Sequence, residues 1–135
     1  MATRFVDSNI FIYVLMNDPS YATKSVHIMT RLEEGVEIGW TSTLALAQVF
    51  AHLRKRKKYP EIDKFYDYLE GSPISVAETT RLDIEQARKL KHELKLPWSM
   101  WDDLVLASQM WRLRITEIYS NDGDFDKVKG LKRIF

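Results

Sequence analysis

Short β-forming runs alternate with longer amphipathic stretches from one end of this sequence to the other, and that alternation dictates most of what the chain can become. Strands separated by helices do not return as hairpins; they pair in parallel, with the crossing helices packed on the sheet faces. Phe5-Val6 stops at Asp7-Ser8-Asn9, a polar turn with a capping residue, before Ile10, Phe11, Tyr13, Val14 and Leu15 resume with helical period. Pro19 to Gly35 places Ala22, Val26, Met29 and Leu32 on one helical face and ends on a glycine suited to a C-cap. Val36 to Thr41 reads as the second strand, and Leu44 to Lys57 as the next helix. Pro60 opens a helix through Leu69, Gly71-Ser72-Pro73 breaks it, and Ile74-Ser75-Val76 reads as a third strand before the helix Thr80 to Leu96. After the stop at Pro97, Met100 to Leu113 is helical, Thr116 to Tyr119 forms a fourth strand and Ile134-Phe135 a fifth. The expected fold is α/β, with a small central parallel sheet flanked by helices.

A chain of 135 residues fits one domain, expected to span residues 1–135. Hydrophobic residues at 45% and charged residues at 29% support a single packed core and exclude a disordered or fibrous chain. The net charge of +1 means that no global field draws the molecule to nucleic acid or lipid, so any such affinity is local. The absence of cysteine rules out disulfides, thiolate zinc sites and a cysteine nucleophile, and it fits a cytoplasmic protein. The apolar run Ile10–Met16 is too short to span a bilayer, so no membrane association is expected.

Several chemistries lack their signatures. There is no Gly-rich phosphate loop, no GxGxxG, no GxSxG and no HExxH. His27, His52 and His92 each sit alone in a predicted helix and read as structural. What remains is acidic. Ligands of an open parallel sheet bind just beyond the carboxyl ends of its strands, and there Asp7 follows Phe5-Val6, while Asp122 and Asp124 follow Ile118-Tyr119-Ser120. Asp103 shares a helical face with Met100, Leu106, Ala107 and Met110, which points it inward, whereas Asp102 falls on the line of Gln109, taken as polar.

Each acid also has a plain structural use. Asp7 and Asp102 suit helix caps, and Asp122-Gly123 suits a turn. Converging at one sheet edge, however, such carboxylates repel one another unless cations neutralise them, and an oxygen-only donor set suits Mg²⁺ or Mn²⁺.

The motif Phe5-Val6-Asp7-Ser8-Asn9-Ile10-Phe11, the segment Asp103-Leu104-Val105-Leu106-Ala107 and the stretch Tyr119-Ser120-Asn121-Asp122-Gly123-Asp124-Phe125, in this order, resemble the PIN domain, in particular the toxin ribonucleases of VapBC-type toxin–antitoxin pairs. The resemblance implies a metal-dependent endonuclease acting on single-stranded or structured RNA. It implies Asp7, Asp103 and Asp122 as metal-binding acids, Asp124 as a further acid, and Ser120 and Asn9 as supporting polar residues. It also implies a homodimer and an antitoxin that blocks the acidic groove. One position departs from the pattern: where the family usually has a Glu early in the helix after the second strand, this chain has Gln48. A carboxamide oxygen still ligates Mg²⁺ but brings no charge and no general base. Either the replacement is natural and Asp124 or Asp102 supplies the missing charge, or it is an engineered inactivating change; the alternative function is a catalytically silent PIN fold that binds RNA or a protein. A third option, a phosphatase or receiver-like domain, wants an Asp-x-Asp that Asp7-Ser8-Asn9 does not provide.

Substrate contacts are expected to be basic. Arg54 and Arg56 belong to the run Arg54–Lys58 at a helix end, where cations also favour the helix dipole, and Lys127 and Lys129 follow the last acidic motif. Trp98 and Trp101 flank the loop before Asp103, where core packing and base stacking are both open uses.

Overall fold

The computed structural model describes residues 1–135. It orders the alternation into five parallel strands, β1 (Thr3–Val6), β2 (Ile38–Ser42), β3 (Ser75–Ala77), β4 (Glu117–Tyr119) and β5 (Lys132–Ile134), in the spatial order β3-β2-β1-β4-β5. Val6 lies opposite Tyr119, Phe5 opposite both Trp40 and Ile118, and Ser42 opposite Ala77. The chain runs outward from β1 to β3 and then crosses back to β4. This reversal leaves a crevice between β1 and β4 at the carboxyl edge, the position at which parallel α/β sheets bind ligands.

Six helices, α1 (Ser8–Leu15), α2 (Ala22–Glu33), α3 (Thr43–Lys55), α4 (Tyr59–Gly71), α5 (Arg81–Glu93) and α6 (Trp101–Arg112), cover the sheet. Side chains alternate along the strands, so neighbouring residues feed different cores. Val6 and Tyr119 join Ile10, Phe11, Leu32, Val49, Leu53 and Phe65 of α1 to α4. Phe5 and Ile118 join Leu106 and Met110 of α6. Gly39 lets α2 sit close on β2, because a Cβ there would lie 3.0 Å from Leu32 Cδ2. No helix is long and apolar enough to cross a membrane.

Several boundaries differ from expectation for local reasons. Gly35 adopts φ +73° and the Val36 amide donates to the Arg31 carbonyl at 3.1 Å, so closing α2 consumes the residues expected to start β2. A short 3-10 turn, Trp98–Met100, precedes α6. The Gln109 line is not polar in its surroundings: Gln109 is fully buried, its Nε2 donating to the Glu78 carbonyl at 3.0 Å while its Oε1 accepts from the Thr79 hydroxyl at 3.3 Å. A buried amide survives there because both ends are hydrogen-bonded.

Candidate active site

Asp7 leaves β1 and caps α1, its Oδ1 accepting from the Ser8 amide at 2.7 Å. Oδ2 accepts from the Ser120 hydroxyl at 2.7 Å and from Asn9 Nδ2 at 3.3 Å. The Ser120 oxygen in turn accepts from the Asp122 amide at 3.0 Å, tying the end of β1 to the loop after β4. Asp122 caps the 3-10 turn Gly123–Lys127, accepting from the Asp124 amide at 2.9 Å. The cap and turn uses foreseen for Asp7 and Asp122 are therefore real, and they aim rather than exclude the carboxylates. Asp102 is no cap: it is exposed, and Met100 occupies the N-cap of α6 without a side-chain bond.

Asp103, in the first turn of α6, offers an oxygen that lies with those of Asp122 and Asp124 within 4.8 Å of one another. Asp7, Ser8, Asn9, Gln48, Asp102 and these three acids line one cleft of about 420 Å³. Asp7 faces Ser120 and Asn9 and stands outside the tight trio. Burial pushes the Asp7 carboxyl up to about 6, against the lowering by its Ser120 and Ser8 hydrogen bonds, and the Asp122 charge raises it further. Burial, followed by the charges of Asp122 and Asp7, pushes Asp103 up to about 8.

The chain supplies little positive charge in return. Lys127 Nζ reaches Asp124 at 3.3 Å on the surface. Arg133 is engaged by Asp126 at 3.0 Å and by the Ser120 carbonyl at 3.3 Å. Gln48 donates from Nε2 to Asp102 at 3.0 Å, but its Oε1 is buried without any hydrogen-bond partner. Crowded carboxylates beside an orphaned carboxamide oxygen form an all-oxygen donor set that fits a hard divalent cation such as Mg²⁺ or Mn²⁺.

The basic residues lie elsewhere. Arg54 is exposed in the last turn of α3, about 9 Å along the helix axis from Gln48. Arg56 caps that helix, donating to the His52 carbonyl at 3.4 Å, and Lys129 is exposed beyond the last 3-10 turn. Sequence reasoning missed a second polar constellation at the opposite edge of the sheet. There Glu37 is buried and accepts from Arg4, from Arg31 at 3.1 Å and from the Tyr119 hydroxyl at 2.6 Å, while Arg4 also donates to Glu117 at 3.1 Å. These residues come from four separate segments, so no local motif announces them.

A parallel α/β sandwich with an acidic cleft at the switch point of its sheet defines the class of protein at hand. The PIN domain family model matches residues 4–131, and the chain belongs to that family. No curated protein matches it in sequence. Among solved structures, Mycobacterium tuberculosis VapC20, described as a sarcin–ricin loop cleaving toxin, superposes with a TM-score of 0.79 at 17% identity, covering 95% of each chain. VapBC2 from Rickettsia felis, solved with a DNA fragment from its promoter, gives a TM-score of 0.70 at 17% identity over 98% of this chain and 97% of that one. VapBC-1 from nontypeable Haemophilus influenzae gives 0.69 at 18% identity over 98% and 96%. At such identities the likeness concerns the fold.

Proposed function

We propose that this protein is a metal-dependent endoribonuclease, the toxin of a VapBC-type pair, hydrolysing RNA phosphodiester bonds. The observation that carries the reading is the trio Asp103, Asp122 and Asp124, whose oxygens approach within 4.8 Å while the nearby cations are Lys127, paired with Asp124 on the surface, and Arg133, shared with Asp126. Asp103 and Asp122 of the trio, with Asp7 in the same cleft, would hold Mg²⁺ or Mn²⁺, Asp124 adds a third close carboxylate, and the free Oε1 of Gln48 offers a neutral ligand. The ion supplies Lewis acidity, lowering the pKa of a water and offsetting charge on the leaving oxygen. Asn9 and Ser120 fix the Asp7 carboxylate by hydrogen bonds, so that its geometry exists before substrate arrives. No side-chain nucleophile is required. Lys127, Lys129, Arg54 and Arg56 engage substrate phosphates, and an antitoxin covers the cleft of a homodimer.

The test is cleavage of a mixed single-stranded RNA pool with Mn²⁺, with Mg²⁺ and with EDTA. Metal-dependent cutting that disappears in Asp103→Asn is expected. Undiminished cutting in EDTA would overturn the metal dependence. The tie between Gln48 and Asp102 favours a second reading, a silent PIN fold that binds RNA or protein; RNA binding without cleavage by the parent, with cleavage gained in Gln48→Glu, would establish it.

A further inference from the structure

We propose that Trp98 is a stacking platform for an RNA base next to the phosphate held in the acidic cleft, with Lys91 serving the neighbouring phosphate. The inference rests on the ribonuclease reading and adds a residue that touches substrate. Three of the four tryptophans are explained by packing: Trp101 and Trp111 pack against the core between α5 and α6, and Trp40 against that of Phe5 and Ile118. Trp98 belongs to neither and is 57% exposed, although it lines the cleft that holds the acids. A single exposed aromatic is ordinary on a protein surface; what singles out Trp98 is that it lines the cleft of the acids, where a strand bound at those acids would pass it.

The ring is held rather than loose. It sits on the 3-10 turn Trp98–Met100 that leads into α6, with the Trp101 ring centroid at 5.6 Å and the His92 ring at 6.1 Å and 90°. Lys91 Nζ lies over the ring face, 4.7 Å from its centroid, so a base that stacks on that face displaces the ammonium toward a phosphate. An aromatic platform paired with a cation is the combination that single-stranded nucleic acid uses: the base gains stacking and the phosphate a counter-charge. Every base has a π-face, so Trp98 contributes affinity and position without choosing a base. A sheet-edge cluster of acids repels an approaching phosphate, and a stacked base at the rim gives the strand a purchase that charge alone denies it.

The experiment measures binding of the full chain to a labelled oligouridylate and to an abasic ribose–phosphate oligomer of equal length, in EDTA and over a range of salt, with cleavage in Mn²⁺ followed separately. Trp98→Ala is expected to weaken oligouridylate binding about tenfold, to leave the abasic oligomer and the salt slope unchanged, and to raise KM more than it lowers kcat. Trp98→Phe restores most of the loss. Lys91→Met reduces the salt slope for both oligomers by about one. Equal effects of Trp98→Ala on both oligomers, no effect on either, or no oligouridylate binding by the parent would each overturn the proposal. Base-dependent loss in a protein that cuts no RNA would retract the hydrolase reading and keep the platform; cleavage with binding indifferent to Trp98 would do the reverse.

Discussion

At the amino-terminal edge of the sheet, the buried carboxylate of Glu37 meets two arginines and a tyrosine hydroxyl, whereas at the carboxyl edge several crowded acids share one surface lysine and an arginine already paired with Asp126. The same contrast separates two acids on adjacent helices. Burial pushes Asp83 up, but hydrogen bonds from Arg112 and from the Thr80 amide outweigh it and hold that carboxyl below the usual range. Asp103, also raised by burial, has other carboxylates for neighbours and rises. The chain thus neutralises its buried acids wherever they serve the fold. At one place the acids outnumber the cations beside them, and there the remaining stabilising charge has to arrive with a ligand.

The largest expected effect that sharpens this contrast is on catalysis. Asp103→Asn or Asp122→Asn should lower cleavage by roughly a hundredfold or more, since even residues supporting a metal ligand are worth 10–100-fold, while circular dichroism reports an intact fold. A gel-based cleavage assay checks it, and full activity in Asp103→Asn would break the division between the two edges. Next comes Glu37→Ala, which takes the acceptor from the Tyr119 hydroxyl and leaves Arg4 only the Glu117 carboxylate; it should cost roughly 2 kcal/mol, lowering Tm by about 8 °C in a thermal melt while the remaining folded protein cuts normally.

A smaller effect of opposite sign is expected at Asp7. Without metal at pH 8, Asp7→Asn removes an ionised buried carboxylate and should raise Tm by a few degrees, read by scanning calorimetry. The pH dependences differ in direction as well. Asp103 and Asp7 bind their protons more tightly in the folded chain, so they cost stability as pH rises from about 4 toward 8. Asp83, with its lowered value, contributes stability that is present at neutral pH and lost as acid protonates it. Melts in EDTA should accordingly show stability declining between pH 5 and 8, and Mn²⁺ should cancel the decline. The smallest effect is that of Gln48→Glu, expected to tighten Mn²⁺ by about tenfold or less, since it adds one charge where a neutral oxygen already points.

Much of this arrangement was legible in the sequence because it is local. Strand followed by Asp-Ser-Asn, a glycine closing α2, and the turn Ser120–Asp124 each carry their instruction within a few residues. Asp103 could be placed facing inward because its helical neighbours are apolar. What could not be read depended on distant partners. Gln109 looks like a surface residue until the carbonyl of Glu78 and the hydroxyl of Thr79 come beside it. The helix start at Thr80 was legible, but its capping box with Asp83 went unread, and the partner that fixes Asp83, Arg112, sits a helix away. Arg4, Glu37, Glu117 and Tyr119 are ordinary one at a time, and only strand order makes them a network.

The central claim is that the carboxyl-edge acids outnumber the cations the chain sets beside them, Lys127 and Arg133, so that a divalent ion can join them. Calorimetric titration of Mn²⁺ into the full chain at pH 7 tests it most directly. Saturable binding with release of protons is predicted, because Asp103, raised to about 8, must give up its proton to take the ion. Binding should weaken sharply in Asp103→Asn and persist in Glu37→Ala. No binding by the parent, or equal binding by parent and Asp103→Asn, would contradict the account.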